Sequence, residues 1–151
     1  MTGTVQHGDF TIERVLDAPP SLVFQAWTDK AAKAKWFGTG SNLDVRAFDV
    51  RVGGEEHVLG KWPNGSVSQF RARYFDIVKD ARIVYTYDLL MDGKKLSVSL
   101  ATVQLVAEGK KTRMIVTEQG AFLDGYDDAG AREHGTNILM DRLVESLKPG
   151  H

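Results

Sequence analysis

Residues 43–122 are divided into short runs by a series of turn signals, and this pattern constrains the fold more than any other feature of the chain. The signals are Gly53-Gly54, Pro63-Asn64-Gly65, Asp80-Ala81, Asp92-Gly93 and Glu108-Gly109. Asn-Gly and Asp-Gly are strong markers of tight hairpins. Within the runs, apolar and polar side chains tend to alternate, as expected for strands that bury one face. The pattern therefore predicts six consecutive strands joined as a meander.

The region before the meander predicts one further strand and two short helices. Residues 10–16 (FTIERVL) alternate like a strand, which Pro19 and Pro20 end because proline cannot donate to a β-ladder. Residues 22–27 place an apolar surface after these prolines, which suit a first helical turn. Asp29 can cap the second helix, in KAAKAKWF.

A change to helical periodicity marks the last element. An apolar stripe with this spacing is formed by Gly135, Ile138, Leu139, Met140, Leu143, Val144 and Leu147. Asp127 or Asp128 can cap the helix, and the segment 148–150 (KPG) ends it. The sequence thus predicts a helix from about residue 128 to about 147 that packs on the sheet.

Composition and charge narrow the classes of function. The chain of 151 residues, with 42% hydrophobic and 26% charged content, suits one domain over 1–151. Its net charge of −1 and lack of a basic block argue against nucleic-acid binding, and it has no apolar run long enough for a membrane span. Neither a secretion signal nor a cysteine is present, so we expect a cytoplasmic protein. No histidine has metal-site spacing, and we expect no metal or cofactor.

The order of elements and several stretches resemble a known superfamily. The stretches are FTIERVLDAPPSLVFQAWTD, KWFG, DVRVGGE, GKKTRMIVTEQGAF and REHGTNILMDRLVESL. Together they resemble the START-like helix-grip (SRPBCC) superfamily, and within it the branch named after the activator of the heat-shock protein 90 ATPase. The resemblance implies an α+β helix-grip fold, in which a curved antiparallel sheet wraps around a long C-terminal helix. Gly135-Thr136 and Trp36-Phe37 depart from the Gly-Trp and paired tryptophans of many relatives, which would reshape any pocket.

The resemblance also implies a cavity between sheet and helix, so inward strand residues become candidate pocket walls. Alternation places Phe70 and Tyr74 on one face of their strand, and Tyr85 and Tyr87 on one face of the next. The candidate ligand-binding residues are Phe70, Tyr74, Tyr85, Tyr87, Met114, Val116, Glu118, Arg132 and Leu139. Such aromatic residues can hold a hydrophobic ligand. The alternative is that they only fill the core.

Glu118 interrupts an apolar face in the stretch TEQGAF. Counting by twos from Met114 through Val116 places its carboxylate inward, where a charge needs a partner. The first candidate is Arg14, on the first strand, and the second is Arg132, on the last helix. The pair would be structural. Alternatively, Glu118 contacts a ligand or acts as a general acid or base.

The sequence leaves more than one function open. The first hypothesis is binding of a small hydrophobic or aromatic ligand. The second is an enzyme like the polyketide cyclases and aromatases of the superfamily, with Glu118 and Tyr85 or Tyr87 moving protons. The third is a co-chaperone with a chaperone partner, as the branch name implies. An exposed edge strand could also support a homodimer, and Glu56, beside a glycine bend, is predicted at a solvated edge.

Overall fold

The computed structural model describes residues 3–148 and contains one seven-stranded antiparallel sheet in the order β1-β7-β6-β5-β4-β3-β2. The elements are β1 (Val5–Leu16), α1 (Pro20–Thr28), α2 (Lys30–Lys33), β2 (Asn42–Phe48), β3 (Glu55–Lys61), β4 (Val67–Val78), β5 (Arg82–Met91), β6 (Lys94–Glu108), β7 (Lys111–Leu123) and α3 (Ala129–Ser146). The predicted α+β helix-grip architecture is confirmed, including the meander from β2 to β7. β1 begins five residues earlier than predicted, because its backbone follows β7 as far as the pair Val5 and Leu123.

The predicted hairpins form where the turn signals stand. Asp92 and Gly93 have φ angles of 51° and 81°, the left-handed conformation that a tight two-residue hairpin requires. Gly65 has a φ of 89°, and the Asn64 side chain accepts a hydrogen bond from the Ser66 N–H. The local chemistry of these turns therefore sets the register of the strands that they join.

Both predicted helix caps are present. The Asp29 carboxylate accepts a hydrogen bond from the Ala32 N–H at 2.9 Å, and the Asp128 carboxylate accepts one from the Ala131 N–H at 2.8 Å. Each satisfies a backbone donor that has no partner within the helix. The predicted stop at 149 and 150 lies outside the described residues.

α3 packs on the sheet with a face slightly different from the predicted one. Its buried residues are Arg132, Thr136, Met140 and Leu143. Leu139 and Leu147 are half-buried and pack against the core, whereas Ile138 is 41% exposed. The apolar stripe predicted from the sequence is wider than the face of α3 that contacts the sheet, because part of the stripe borders a cavity.

The core lies between the sheet, α1 and the C-terminal part of α3. It includes Val23 and Trp27 of α1, Met114 of β7, and Met140 and Leu143 of α3. Within residues 3–148, no helix combines the length and apolar character needed to cross a membrane.

Candidate functional site

A cavity of about 440 Å³ lies between the inner face of the sheet and α3. Strand alternation points Phe70 of β4 and Tyr85 and Tyr87 of β5 into this region. The ring of Phe70 lies 4.9 Å from that of Phe37 and 5.0 Å from that of Tyr87, measured between centroids. The aromatic residues that line the cavity are Trp27, Trp36, Phe37, Trp62, Phe70, Tyr85 and Tyr87. Its wall is therefore largely apolar, with these seven aromatic residues among the lining side chains.

Most of the predicted ligand-binding residues line this cavity. They are Phe70, Tyr85, Tyr87, Val116, Glu118, Arg132 and Leu139. Tyr74 and Met114 do not, and for these two the prediction is corrected. The Tyr74 hydroxyl donates to Glu56 at 2.6 Å, and Met114 is fully buried in the core. Both share the inward face of their strands with cavity residues but lie further along it, where the interior is filled.

Glu118 faces inward and is 6% exposed, as its place in the strand predicts. The Tyr87 hydroxyl donates to Glu118 Oε1 at 2.5 Å and accepts a hydrogen bond from Arg132 Nη1 at 2.9 Å. Arg132 Nη2 donates to Ser97 Oγ at 2.7 Å and to Asp127 Oδ2 at 2.8 Å. Strands β5, β6 and β7 and helix α3 thus meet in one buried polar network at the cavity wall.

The predicted ion pair between Arg14 and Glu118 is wrong. In the register of β1 on β7, Arg14 lies opposite Met114, and Phe10 lies opposite Glu118. Four residues along a strand correspond to about 13 Å. Arg14 instead pairs with Asp141 at 3.1 Å and donates to Asn137 at 2.7 Å, which ties β1 to α3.

Arg132, the second candidate partner of Glu118, is connected to it by the Tyr87 hydroxyl, which is hydrogen-bonded to both residues. Its ion pair is with Asp127. The sequence indicated Asp127 only as a possible helix cap; its position five residues before Arg132 is compatible with this contact but does not predict it.

Burial raises the pKa of Glu118 above its ordinary value of 4.5, although the Tyr87 hydrogen bond, the Arg132 charge and the Thr136 hydroxyl act in the opposite direction. Burial also raises the pKa of Tyr87, with the Glu118 charge adding to the shift. Tyr87 therefore stays protonated and donates, while the carboxyl group holds its proton more tightly than it would in water. This arrangement can accept a hydrogen bond from a ligand or exchange a proton with it.

A second buried carboxylate was not predicted. Lys33 Nζ lies 2.8 Å from Glu56 Oε1, with exposures of 3% and 1% for the two side chains. The predicted solvated edge for Glu56 is therefore wrong. Backbone hydrogen bonds join Gly53 and Gly54 to Tyr74, and they fold this bend back onto β4. The alternation from Val58 was the available signal, because it places Glu56 on the inward face.

The cavity opens along one side of α3. The residues of α3 that line it and are also exposed are Ala131, Gly135, Ile138 and Arg142. Gly38, Thr39 and Ser41 form part of the opposite rim. Arg142 Nη1 donates to the Thr39 carbonyl at 3.3 Å across this opening. Among the described residues, no group of three or more side chains could hold a metal ion.

Known proteins share this fold over nearly the whole chain. The model of the family described as "Activator of Hsp90 ATPase homolog 1-like protein" matches residues 17–148. A solved structure from Rhizobium loti is 41% identical, with a TM-score of 0.86 over 95% of this chain and 99% of that one. A structure from Rhizobium leguminosarum is 39% identical, with a TM-score of 0.87 over 95% and 96%.

A more distant structure, from Chromobacterium violaceum, is 26% identical, with a TM-score of 0.81 over 93% of this chain and 97% of that one. No curated protein matches the chain. The family model covers most of the chain, and the structures of 41% and 39% identity share its fold over nearly the whole length. The chain belongs to the family of activator of Hsp90 ATPase homolog 1-like proteins.

Proposed function

We propose that the protein binds a small hydrophobic or aromatic molecule in the cavity between the sheet and α3. The observation that carries this proposal is a space of about 440 Å³ with a largely apolar wall that includes seven aromatic residues. Ligand sites are typically clefts of roughly 300–1,000 Å³ with a few orienting polar groups. The superfamily also commonly binds hydrophobic ligands.

The polar network would orient such a ligand. Tyr87 already donates to Glu118 and accepts from Arg132, so its hydroxyl is engaged on both sides. The Glu118 carboxyl group borders the cavity and has further lone pairs. A ligand hydroxyl or amine near Glu118 would therefore find an acceptor there.

Gly135 allows a direct test of binding. It lies on the rim, and a Cβ atom added there would meet no atom within 4 Å beyond its chain neighbours and the adjacent helix backbone. We expect Gly135→Phe to fold and to block the opening, while Gly135→Ala, the matched control, leaves the opening free. Native mass spectrometry of freshly purified protein should show a bound small molecule in the control and not in the phenylalanine variant.

A hydrophobic ligand library provides the second measurement. Ligands that bind the native state should raise the melting temperature of the wild type and of Gly135→Ala by linkage, but not that of Gly135→Phe. If no compound gives a saturable shift in the wild type, and mass spectrometry detects no bound molecule, the binding proposal fails.

A second candidate function is proton transfer on a bound substrate, as in the polyketide cyclases and aromatases. Its support is the raised pKa of Glu118, a carboxyl group beside Tyr87 at the wall of the cavity. In this case Glu118→Gln would retain ligand binding but abolish turnover of a poly-β-ketone substrate. Loss of binding alone would favour the first proposal.

The family description also supports an interaction with a chaperone ATPase as a third candidate. Its test is whether the purified protein stimulates ATP hydrolysis by an Hsp90 chaperone. A cytoplasmic location, predicted from the sequence, would be consistent with each of these functions.

A further inference from the structure

We propose that the ligand is a monocarboxylic acid with an apolar body, and that Arg142 binds its carboxylate at the mouth of the cavity. This inference rests on the proposed ligand-binding function and specifies the chemical class and the orientation of the ligand. It follows from the charges around the cavity, the contacts of Arg142 and the distance along α3 between Arg142 and the polar network around Glu118.

The charged side chains that line the cavity are Glu118, Asp127, Arg132 and Arg142. Arg132 is paired with Asp127, and its other contacts reach Ser97 and Tyr87. An anion at that end would meet two carboxyl groups, those of Glu118 and Asp127, and like charges close together are unfavourable. The inner end of the cavity therefore disfavours a carboxylate.

Arg142 differs from Arg132 in having no acidic partner among the described residues. Within residues 3–148, no carboxylate oxygen lies within 4.0 Å of a nitrogen of the Arg142 guanidinium, the distance that defines an ion pair. Its hydrogen bond is to the Thr39 carbonyl at 3.3 Å. A guanidinium has five N–H donors in a geometry that matches a carboxylate, so most of its donors remain for a ligand.

The spacing along α3 indicates how long the ligand body can be. Thr136, which hydrogen-bonds to Glu118, lies six residues before Arg142. At 1.5 Å per residue, this separation is about 9 Å along the helix axis. Between the two levels, Leu139 and Ile138 line the space from the helix side. An acid of medium length would place its carboxylate at Arg142 and its apolar end beside the aromatic residues.

Pairs of ligands that differ only in the acid group test this inference. We would titrate decanoic acid against decanol, and phenylbutyric acid against phenylbutanol, by calorimetry below their aggregation concentrations. The proteins are the wild type, Arg142→Gln and, as a matched control, Arg71→Gln. Arg71 is also exposed and has no acidic partner in the described part of the chain, but it donates to Gln69 away from the cavity.

We expect the wild type and Arg71→Gln to bind each acid about fivefold more tightly than its alcohol, the upper end of what an ion pair open to solvent contributes. Arg142→Gln should lose this preference while keeping its affinity for the alcohols. The acid preference should also weaken as salt is added, because the site is open to solvent.

Equal binding of acids and alcohols by the wild type, or an unchanged acid preference in Arg142→Gln, would overturn the inference and leave the proposed cavity function standing. Failure of all four compounds to bind the wild type would overturn the inference together with the proposed binding of alkyl and aromatic ligands.

Discussion

Two buried glutamates on the inner face of the sheet differ in their nearest partners. Glu56 forms a direct ion pair with Lys33 and also accepts a hydrogen bond from Tyr74. Glu118 has a phenol as its neighbour and meets Arg132 only through that phenol. Burial therefore dominates at Glu118 and raises its pKa. Glu118, whose burial is offset by weaker contacts than the burial of Glu56, is the carboxyl group that borders the main cavity.

The first prediction at this scale concerns the coupling of Tyr87 and Glu118. Tyr87→Phe should lower the free energy of unfolding by about 1–3 kcal/mol, because Glu118 and Arg132 both lose a buried hydrogen-bond partner. Glu118→Gln should also destabilise the fold. Denaturant melts of the double variant should show a loss smaller than the sum of the two single losses by at least about 0.5 kcal/mol.

Tyr126→Phe is the control for this cycle, since the Tyr126 side chain is 44% exposed. Removal of its hydroxyl should change stability by less than about 0.5 kcal/mol. Additive losses for Tyr87 and Glu118 would show that their hydrogen bond contributes no coupling.

The second prediction at this scale concerns pH. The pKa of Glu118 in the folded protein lies above its ordinary value of 4.5, so the folded state binds this proton more tightly than the unfolded state. The resulting contribution to stability is fully present below about pH 4.5 and is lost as the pH rises through the folded pKa. Compared with Glu118→Gln, the wild type should become progressively less stable over this window in urea melts.

Glu118→Gln removes the titrating group while most other groups stay the same, so the difference between the two proteins isolates Glu118. A difference that instead grew in favour of the wild type with rising pH would mean that the folded state prefers the ionised carboxylate.

At the scale of secondary-structure elements, buried polar contacts connect the short helices and α3 to the sheet. Lys33 of α2 reaches Glu56 of β3, and its ammonium lies 4.7 Å from the ring centroid of Phe37 and 5.3 Å from that of Phe70. The same two aromatic rings line the cavity. The ion pair therefore positions α2 and supports one wall of the candidate site.

Lys33→Met is expected to destabilise the protein by about 3–5 kcal/mol, because it leaves the Glu56 carboxylate buried without a countercharge. Lys35→Met, an exposed lysine of the neighbouring turn, is the control and should have an effect below about 0.5 kcal/mol. Chemical denaturation measures both. The double variant Lys33→Met/Glu56→Gln should recover part of the loss, and a failure to recover any would contradict the role of the unpaired charge.

The packing of α3 can be tested through two of its apolar residues. Leu143 is fully buried, so Leu143→Ala should cost about 2–5 kcal/mol of unfolding free energy. Ile138 is 41% exposed, and Ile138→Ala should cost less than about 1 kcal/mol. Similar losses at the two positions in denaturant melts would show that α3 packs with another face.

At the scale of the whole molecule, one sheet carries both the core and the cavity. α1 and the C-terminal part of α3 pack on the inner face, and the cavity borders this core and shares Trp27, Tyr85 and Val116 with it. A ligand that fills the cavity should therefore stabilise the complete fold. Association of two copies through an edge strand, β1 or β2, stays a prediction.

We expect unfolding to follow a single cooperative transition, which a bound ligand shifts as a whole. A ligand present at about one hundred times its dissociation constant should add about 2.7 kcal/mol to the free energy of unfolding. Fluorescence and circular dichroism melts should give coincident midpoints with and without the ligand. A ligand that shifted only one of the two signals would show that the cavity region unfolds separately from the core.

The sequence by itself determined the elements and their order, because turns, caps and alternation depend on neighbours along the chain. The Asp92-Gly93 hairpin, the Asp29 and Asp128 caps and the inward direction of Glu118 are all local consequences of this kind. The tertiary structure decided which side chains meet across elements. The register of β1 on β7 keeps Arg14 away from Glu118. The packing of the helices on the sheet brings Lys33 to Glu56 over 23 residues and Tyr87 to Arg132 over 45. Such contacts depend on positions summed over many residues, and no spacing along a single strand or helix encodes them.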